Sequence, residues 1–521
     1  LHPEEHVHRK PAVIRHQWRI TAGPRRPDGV LKTVYLINNE FLGPSVECRS
    51  GDTIVINVEN GLEDDGIAMH WHGLHMRGAN EMDGAASFTQ MPIEPGANFT
   101  YQFRVSDDQH GTFWYHAHDG VQRADGLFGA FIVHKPIIDL DTKSDMQLYE
   151  YEEERLLMIG DWYHRSAKDV IAWYMRAASF GMEPVPDSLL LNGVGAYNCS
   201  MATRARPLDC IQRTAPIFSF EESKHYRMRL VNVGDLAGFT VSVTGGRMLP
   251  INVDGGSDIQ GQLTRSVGVL YPGQRVDIVF TGDDHLRDPA LQVTFEDENF
   301  KYPNPALTDS QLFPLLFSDN RGVGSDVHSG ILNFYNLDAA KAPAISTQEL
   351  PRVANMTMVL YSTTQKLAHL SNIPHGYINQ TSWEPQASPP GYLLALPRSQ
   401  WDAHQFVPHI QLPSDTNADS VSPYWIDLVL NNLDDGSHPF HLHGHDVYVL
   451  QTHAGFGWGS WNPFENPVPP GGPLNTELGV RRDTFYVPKR GYTVLRFKAD
   501  NPGIWMFHCH ILWHQASGMA M

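Results

Sequence analysis

Hydrophobic and polar residues alternate in short runs along most of the chain, with turn-forming residues between the runs. Alternation of this kind predicts β-strands rather than helices. One run predicts a helix, at 167–178. The stretch 303–329 is rich in Pro, Asp, Ser and Gly and is predicted to be a loop. The clearest predicted strands are 53–58, 98–105, 126–134, 225–231, 266–270, 276–280 and 493–498.

The chain of 521 residues is too long for a single hydrophobic core. Its 44 Gly and 36 Pro residues fit a turn-rich β protein. The pattern of strands and loops predicts three domains, with boundaries at 1–137, 138–342 and 343–521. We therefore expect a mostly β protein, in which the second domain is a β-sandwich that acts as a spacer and wall.

The net charge of −19 argues against nucleic acid and anionic membranes as partners. No apolar run of about 18 residues is present, so no membrane span is predicted. The polar start of the chain, 1–6, lacks a signal-peptide profile and is interpreted as a processed terminus. Together with four N-x-S/T sequons, it leads us to expect a secreted, extracellular glycoprotein. The sequons begin at Asn98, Asn198, Asn355 and Asn379.

Four cysteines are present, and Cys509 lies in a candidate metal motif. Cys199 and Cys210 enclose a short polar segment and are the favoured disulfide. Pairing cannot be deduced from sequence, so a bond from Cys48 to either of them stays open. If Cys199 and Cys210 do pair, Cys48 is expected to be a buried free thiol.

The candidate metal motif reads Phe-His-Cys-His-Ile-Leu-Trp-His at 507–514. On a strand, Cys509 would point to one face, with His508 and His510 on the other, so one segment could serve two metal sites. His514 and Met519 follow closely. One Cys, two His and a weak axial Met are the ligands of a blue-copper centre.

Three further motifs carry closely spaced histidines, and alternation places both imidazoles of a His-x-His pair on one strand face. They are His-Trp-His-Gly at 70–73, Trp-Tyr-His-Ala-His at 114–118 and His-Pro-Phe-His-Leu-His-Gly-His at 438–445. Imidazole clusters of this kind suit copper. Their recurrence outweighs the alternative that each is a chance surface pair.

Together the four motifs, HWHG, WYHAH, HPFHLHGH and HCHILWH, resemble the multicopper oxidase family of laccases, ascorbate oxidases and ferroxidases. The resemblance runs over essentially the whole chain. It implies an all-β fold of three cupredoxin-like Greek-key β-sandwich domains. It also implies one-electron oxidation of a reductant coupled to four-electron reduction of O2 to water.

The resemblance implies four copper ions and assigns their ligands, with the trinuclear cluster between the first and third domains. Cys509 would connect the type 1 copper to this cluster, and His514 would face the substrate pocket. The type 1 ligands would be His438, Cys509 and His514, with Met519 axial. The type 2 ligands would be His70 and His441, and the type 3 ligands His72, His116 and His510 on one ion and His118, His443 and His508 on the other.

By resemblance, Asp83 matches an acid that supplies protons near the type 2 copper. The alternative is an ordinary turn-forming Asp-Gly pair. The chain departs from the family pattern at Leu512, where a second acid is often found. It departs again at Met91, where a cysteine is common, so one usual disulfide is missing.

The expected reductants are easily oxidised phenols, aromatic amines, ascorbate or Fe(II), because an axial Met should lower the type 1 potential. Asp187 matches the laccase carboxylate that receives a hydrogen bond from a phenol or amine. Glu183 and Asp434 match two carboxylates that ferroxidases use for Fe(II). Each of the three could instead be a solvated loop acid. Lys301 matches the position of a third ferroxidase acid, although the acidic residues 296–298 are close to it in sequence.

A phenol needs one carboxylate and an apolar wall, whereas Fe(II) needs several converging carboxylates. On this basis laccase-like oxidation of phenols or aromatic amines ranks first, and Fe(II) oxidation second. A copper carrier without enzyme activity ranks third, because carriage requires no Cys509 bridge between two sites. A monomer is favoured.

Overall fold

The computed structural model describes residues 1–139, 142–204, 206–221, 224–282, 289–317, 334–337, 350–412, 423–455, 460–477 and 480–521. Within these residues the strands form six sheets, which fall into three successive pairs along the chain. The all-β prediction is therefore confirmed.

The first pair contains two four-stranded sheets, ordered β2-β1-β4-β6 and β3-β8-β7-β5 in the numbering given below. Their inner faces share one hydrophobic core that includes Trp18, Trp71 and Tyr101. Short strands that alternate in polarity form this sandwich, as the pattern predicts. The strands are β1 Val13–Arg25, β2 Lys32–Ile37, β3 Val46–Arg49, β4 Thr53–Asn60, β5 Met69–His72, β6 Asn98–Arg104, β7 Gly111–Ala117 and β8 Phe128–His134.

The second pair contains two six-stranded sheets, ordered β10-β9-β12-β17-β14-β15 and β11-β19-β18-β13-β16-β20. The strands are β9 Glu153–Trp162, β10 Ser188–Leu191, β11 Phe218–Phe220, β12 His225–Asn232, β13 Gly238–Thr244, β14 Gly246–Val253, β15 Ser257–Asp258, β16 Ser266–Leu270, β17 Arg275–Gly282, β18 Ala290–Glu296, β19 Ser310–Phe317 and β20 Phe334–Asn336.

The third pair contains a six-stranded sheet, β22-β21-β23-β28-β25-β26, and a three-stranded sheet, β27-β24-β29. One hydrophobic core runs from the second pair into the third and includes Phe280, Phe440 and Cys509. The strands are β21 Met356–Lys366, β22 Pro374–Ile378, β23 Trp425–Asn432, β24 His438–Leu442, β25 Val447–His453, β26 Arg481–Arg482, β27 Thr484–Val487, β28 Tyr492–Lys498 and β29 Phe507–Cys509.

Helices are few and short in the described residues, and none is long and apolar enough to cross a membrane. The α-helices are α1 Asp145–Tyr149, α2 Ala167–Tyr174 and α3 Leu512–Ala516. The 3-10 segments are Pro3–Glu5, Asn80–Met82, Gln122–Asp125, Ala177–Ser179, Cys199–Met201, Ala368–Leu370, Leu393–Ala395 and Arg398–Gln400.

Two local predictions need correction. The helix predicted over 167–178 ends at Tyr174, and the Ser179 hydroxyl donates to the Tyr174 carbonyl, which satisfies one acceptor at the helix end. The loop predicted over 303–329 contains β19, in which Phe313 and Leu315 are buried while Leu312 and Leu316 are exposed. Alternation therefore outweighs the turn-forming composition there. Residues 318–329 of that prediction lie outside the described residues.

The structure contains the disulfide that the sequence favours. Cys199 and Cys210 form a disulfide, and Cys48 and Cys509 are buried free thiols.

Candidate metal centre

Two strand pairs on facing edges of the first and third sandwiches supply eight histidines. In the first sandwich, His70 on β5 lies opposite His116 on β7. In the third, His441 on β24 lies opposite His508 on β29. We call the full set the imidazole cluster, and every member is buried. Its members are His70, His72, His116, His118, His441, His443, His508 and His510.

The imidazole cluster is compact across the boundary between the two sandwiches. The His70 and His443 rings stack with centroids 3.9 Å apart, and those of His72 and His441 with centroids 3.8 Å apart. Three groups have ligand atoms within 4.8 Å of one another. These groups are His70 with His72 and His441, His72 with His116 and His510, and His118 with His443 and His508. The motif histidines therefore meet between the first and third domains, as the resemblance implies.

The ring nitrogens fit a metal cluster. Nδ1 of His70 donates to the Asp83 carbonyl at 2.8 Å, and Nδ1 of His441 donates to the Asp483 carbonyl at 2.9 Å. Such bonds fix the tautomer and leave the opposite nitrogen free to act as a ligand. Among the described residues, four of these buried ring nitrogens have no hydrogen-bond partner, as expected of metal ligands. They are His70 Nε2, His72 Nδ1, His116 Nε2 and His441 Nε2.

Burial favours the neutral form of seven of these imidazoles, which is the form that binds metal. It lowers the pKa of His441 to about 4. Burial is also the first cause of the lowered pKa at six other members, and neighbouring imidazoles or arginines add to it. These six are His72, His116, His118, His443, His508 and His510.

A second buried group, which we call the type 1 site, consists of His438, Cys509 and His514. The two Nδ1 atoms lie 3.1 Å apart, and Cys509 Sγ lies 3.5 Å from the first and 3.7 Å from the second. This triangle presents one sulfur and two nitrogens to a common point. The fully buried Met519 adjoins it, because its carbonyl accepts from the Cys509 amide at 3.0 Å.

The Cys509 thiol loses its proton more easily than a free cysteine does, which favours metal binding. Burial acts to raise the pKa of Cys509, but His438 and His514 outweigh it and bring the value down to about 7. Cys509 faces the type 1 site while the adjacent His508 and His510 face the imidazole cluster. This is the alternation expected from the sequence.

Sequence reasoning missed a buried ion pair that supports the imidazole cluster. Asp483 Oδ1 lies 3.2 Å from His72 Nε2, and its carboxylate is bound by both terminal nitrogens of Arg275. Arg275 also donates to the Thr112 carbonyl at 2.9 Å, so one side chain joins all three sandwiches. Burial opposes ionisation of Asp483, but Arg275 lowers its pKa. No histidine motif surrounds Arg275 or Asp483, so the sequence carried no signal for them.

Asp83 lies where the resemblance places it, fully buried beside the imidazole cluster. Its Oδ2 accepts from His443 Nδ1 at 2.8 Å, and its Oδ1 is 3.3 Å from His70 Nδ1. The Leu512 amide donates to the Asp235 carbonyl at 2.9 Å, and the Asp235 carboxylate accepts from Arg123 at 3.2 Å.

Carboxylates also contact the outer side of the type 1 site. Glu183 Oε1 accepts from His514 Nε2, and Asp434 Oδ2 from His438 Nε2, both at 3.1 Å. Asp187 is placed differently: the His164 amide donates to its Oδ2 at 2.9 Å, and the Asn304 side chain to its Oδ1 at 3.3 Å. Of the three acids singled out from the sequence, two thus touch the type 1 histidines.

Lys301 pairs with Asp435, its Nζ lying 3.3 Å from Oδ1. Lys301 therefore pairs with the acid that follows Asp434 in the chain.

Models of the multicopper oxidase family match three segments of the chain, which together cover most of it. The segments are 19–137, 153–304 and 396–521.

Relatives include both iron-transport proteins and laccases. The chain is 32% identical to "Iron transport multicopper oxidase FET3" of Gibberella zeae, over 95% of this chain and 73% of the relative. It is 30% identical to "Laccase-1" of Cryptococcus neoformans var. grubii, over 98% of this chain and 79% of the relative.

Among solved structures, the chain is similar to Fet3p, described as a multicopper oxidase that functions in iron import. The TM-score is 0.79 at 25% identity, over 98% of this chain and 90% of that one. This similarity identifies the three sandwiches as cupredoxin-like domains.

Proposed function

The chain belongs to the multicopper oxidase family, and from this premise we propose that it is a metallo-oxidase that oxidises Fe(II) and reduces O2 to water. The balanced reaction takes one electron from each of four Fe(II) ions and four protons for each O2. The family supports copper and O2 chemistry in general. The choice of reductant is our proposal.

We assign four copper ions to the two groups. The type 1 site would hold one, with Met519 as a further ligand. In the imidazole cluster, His70 and His441 would hold the type 2 ion. The type 3 ions would be held by His72, His116 and His510, and by His118, His443 and His508. Bound copper would supply one-electron redox chemistry at the first group and O2 reduction at the second. Cys509 is covalently continuous with His508 and His510, so the strand links the two groups directly.

The observation that carries the Fe(II) proposal is the pair of carboxylates on the type 1 histidines. Glu183 and Asp434 each bond the outer nitrogen of one ligand at 3.1 Å. Within the described residues, Glu183 Oε2 is buried and has no hydrogen-bond partner, so this oxygen has an unused lone pair beside His514. Fe(II) favours oxygen and nitrogen donors of this kind. A reductant held there would be one side chain away from His514.

Phenol oxidation is the second candidate, which reverses the order favoured by the sequence. Asp187 remains 25% exposed, so a phenol could reach it. Its two oxygens, however, already accept from His164 and Asn304, as described above. Asp434 is engaged in the same way by Thr363 and Thr364, so what separates the two candidates is contact with a type 1 histidine, which Asp187 lacks within the described residues. Relatives of both kinds exist, so neither substrate follows from the family alone.

Protons for O2 reduction must reach the imidazole cluster, and we propose Asp83 as their donor. Its carboxylate is buried and bonded to His443. Because Leu512 cannot carry a proton, this role falls more heavily on Asp83 than in relatives with two acids.

The test is steady-state O2 uptake by the copper-loaded protein with Fe(II) and with 2,6-dimethoxyphenol. We expect a higher kcat/KM for Fe(II). A higher value for the phenol would replace this proposal with laccase activity. No uptake with either reductant would reject both candidates and favour a copper carrier.

A further inference from the structure

A large apolar cavity lies in the third sandwich, distinct from the copper-binding groups. Its volume is about 390 Å³, within the range of small-molecule sites. Side chains from both sheets of the sandwich form its inner wall, and they come from β23, β24, β25, β28 and β29. These inner residues are Leu428, Leu442, Val447, Leu495, Phe497 and Phe507.

Aromatic rings are frequent in the wall. Besides Phe497 and Phe507, the lining includes Phe88, Trp401 and Trp505. The Trp401 indole is fixed in place, because its Nε1 donates to the carbonyls of Leu393 and Leu396. Rings held in this way offer faces and edges to a flat aromatic ligand.

The charge of the lining is the opposite of that of the whole protein. The chain carries a net charge of −19, yet no Asp or Glu is among the described residues that line the cavity. Its charged or titratable lining residues are Arg398, His409 and His445. Arg398 is exposed and presents a guanidinium that can bind a carboxylate with two parallel hydrogen bonds.

The cavity also adjoins the imidazole cluster. His445 packs edge-on against Phe497 and Trp505, with ring centroids 5.6 and 5.9 Å away. Its Nδ1 donates to the carbonyl of His443 at 3.1 Å. A ligand packed on His445 would thus be separated from the imidazole cluster by one side chain.

We propose that this cavity binds a small aromatic carboxylate, with the ring among the apolar side chains and the carboxylate at Arg398. Burial of the ring supplies most of the affinity, and the charge on Arg398 selects an anion over a neutral analogue. The proposal is independent of which reductant the enzyme oxidises.

The test is calorimetric titration of the copper-loaded protein with 2-naphthoate and with the uncharged 2-naphthamide. We expect one site for naphthoate. Arg398→Gln should weaken it by about tenfold, as expected for a hydrogen bond to a charged group, and leave naphthamide unchanged. Arg104→Gln, which removes an exposed arginine from the first sandwich, is the matched control and should affect neither.

Ala499→Trp provides the second arm, because Ala499 is a half-buried lining residue and the indole would fill the cavity. Binding of both probes should disappear while O2 uptake persists. Absence of saturable binding to the unaltered protein would overturn the proposal, as would binding that Ala499→Trp leaves intact. Equal affinities for naphthoate and naphthamide, both insensitive to Arg398→Gln, would overturn the assignment of a carboxylate ligand.

Discussion

The imidazole cluster and the type 1 site share strand β29, but opposite electrostatics surround them. In the imidazole cluster, burial lowers the pKa of seven histidines, that of His441 to about 4. At the type 1 site burial acts in the same direction, but Cys509 and Asp434 outweigh it and raise the pKa of His438 to about 10. The first group consists mostly of neutral imidazoles, with the buried Asp83 and the Arg275-paired Asp483 beside it, whereas the second contains a thiol and has Glu183 and Asp434 on its outer side.

This difference separates two tasks. Neutral imidazoles hold metal ions without adding charge of their own, and the charge of the adjacent Asp483 is balanced by Arg275, which suits a group that must admit O2. Carboxylates on the outer side of the type 1 site contribute negative charge where a reductant arrives. In our account, therefore, the imidazole cluster defines the common chemistry of the family, and the surroundings of the type 1 site define the reductant.

The largest expected effect comes from breaking the link between the two groups. Cys509→Ser should abolish turnover and remove one copper, because a hydroxyl cannot replace the soft thiolate ligand. Copper analysis and O2 uptake measure this. Cys48→Ser is the matched control, since Cys48 is a buried free thiol in the first sandwich. Near-normal turnover in Cys509→Ser would contradict the assignment of the type 1 site.

Asp483→Asn is expected to affect the imidazole cluster and not the type 1 site. It removes the charge that pairs with Arg275 beside His72, and we expect a loss of about 10- to 100-fold in copper affinity or activity. Copper retention during dialysis against a chelator, compared with the unaltered protein, measures the effect. Asp427→Asn breaks another buried ion pair, with Arg496 in the third sandwich, and should leave copper retention unchanged. Equal losses in both variants would mean that Asp483 acts only through general stability.

The smallest expected effect comes from a charge change near the type 1 site, at Lys301. Lys301→Asp restores the acid expected of a ferroxidase, and we expect kcat/KM for Fe(II) to rise about two- to fivefold, as a screened surface charge allows. A phenol, being neutral, should respond less. Lys168→Asp reverses an exposed charge elsewhere and serves as the control. An unchanged or lower value for Fe(II) would show that cations do not approach along this side.

The ligand histidines could be predicted because short sequence motifs place each pair on one strand, as with His70 and His72. The pairing of β24 with β29 then brings distant motifs together, which the family resemblance anticipated. Arg275 and Asp483 could not be predicted, since their contact joins segments far apart in sequence and neither lies in a motif. Asp187 illustrates the same limit, because its engagement by Asn304 depends on tertiary structure.

The most direct test of the account compares the reductants in two variants. The double variant Glu183→Gln with Asp434→Asn keeps the shape of both side chains and removes their charges. The single variant Asp187→Asn does the same at Asp187. We measure the ratio of kcat/KM for Fe(II) to that for 2,6-dimethoxyphenol. The account predicts that the double variant lowers this ratio by about 10- to 100-fold, while Asp187→Asn leaves it unchanged or raises it. An unchanged ratio in the double variant would contradict the claim that these two carboxylates select the reductant.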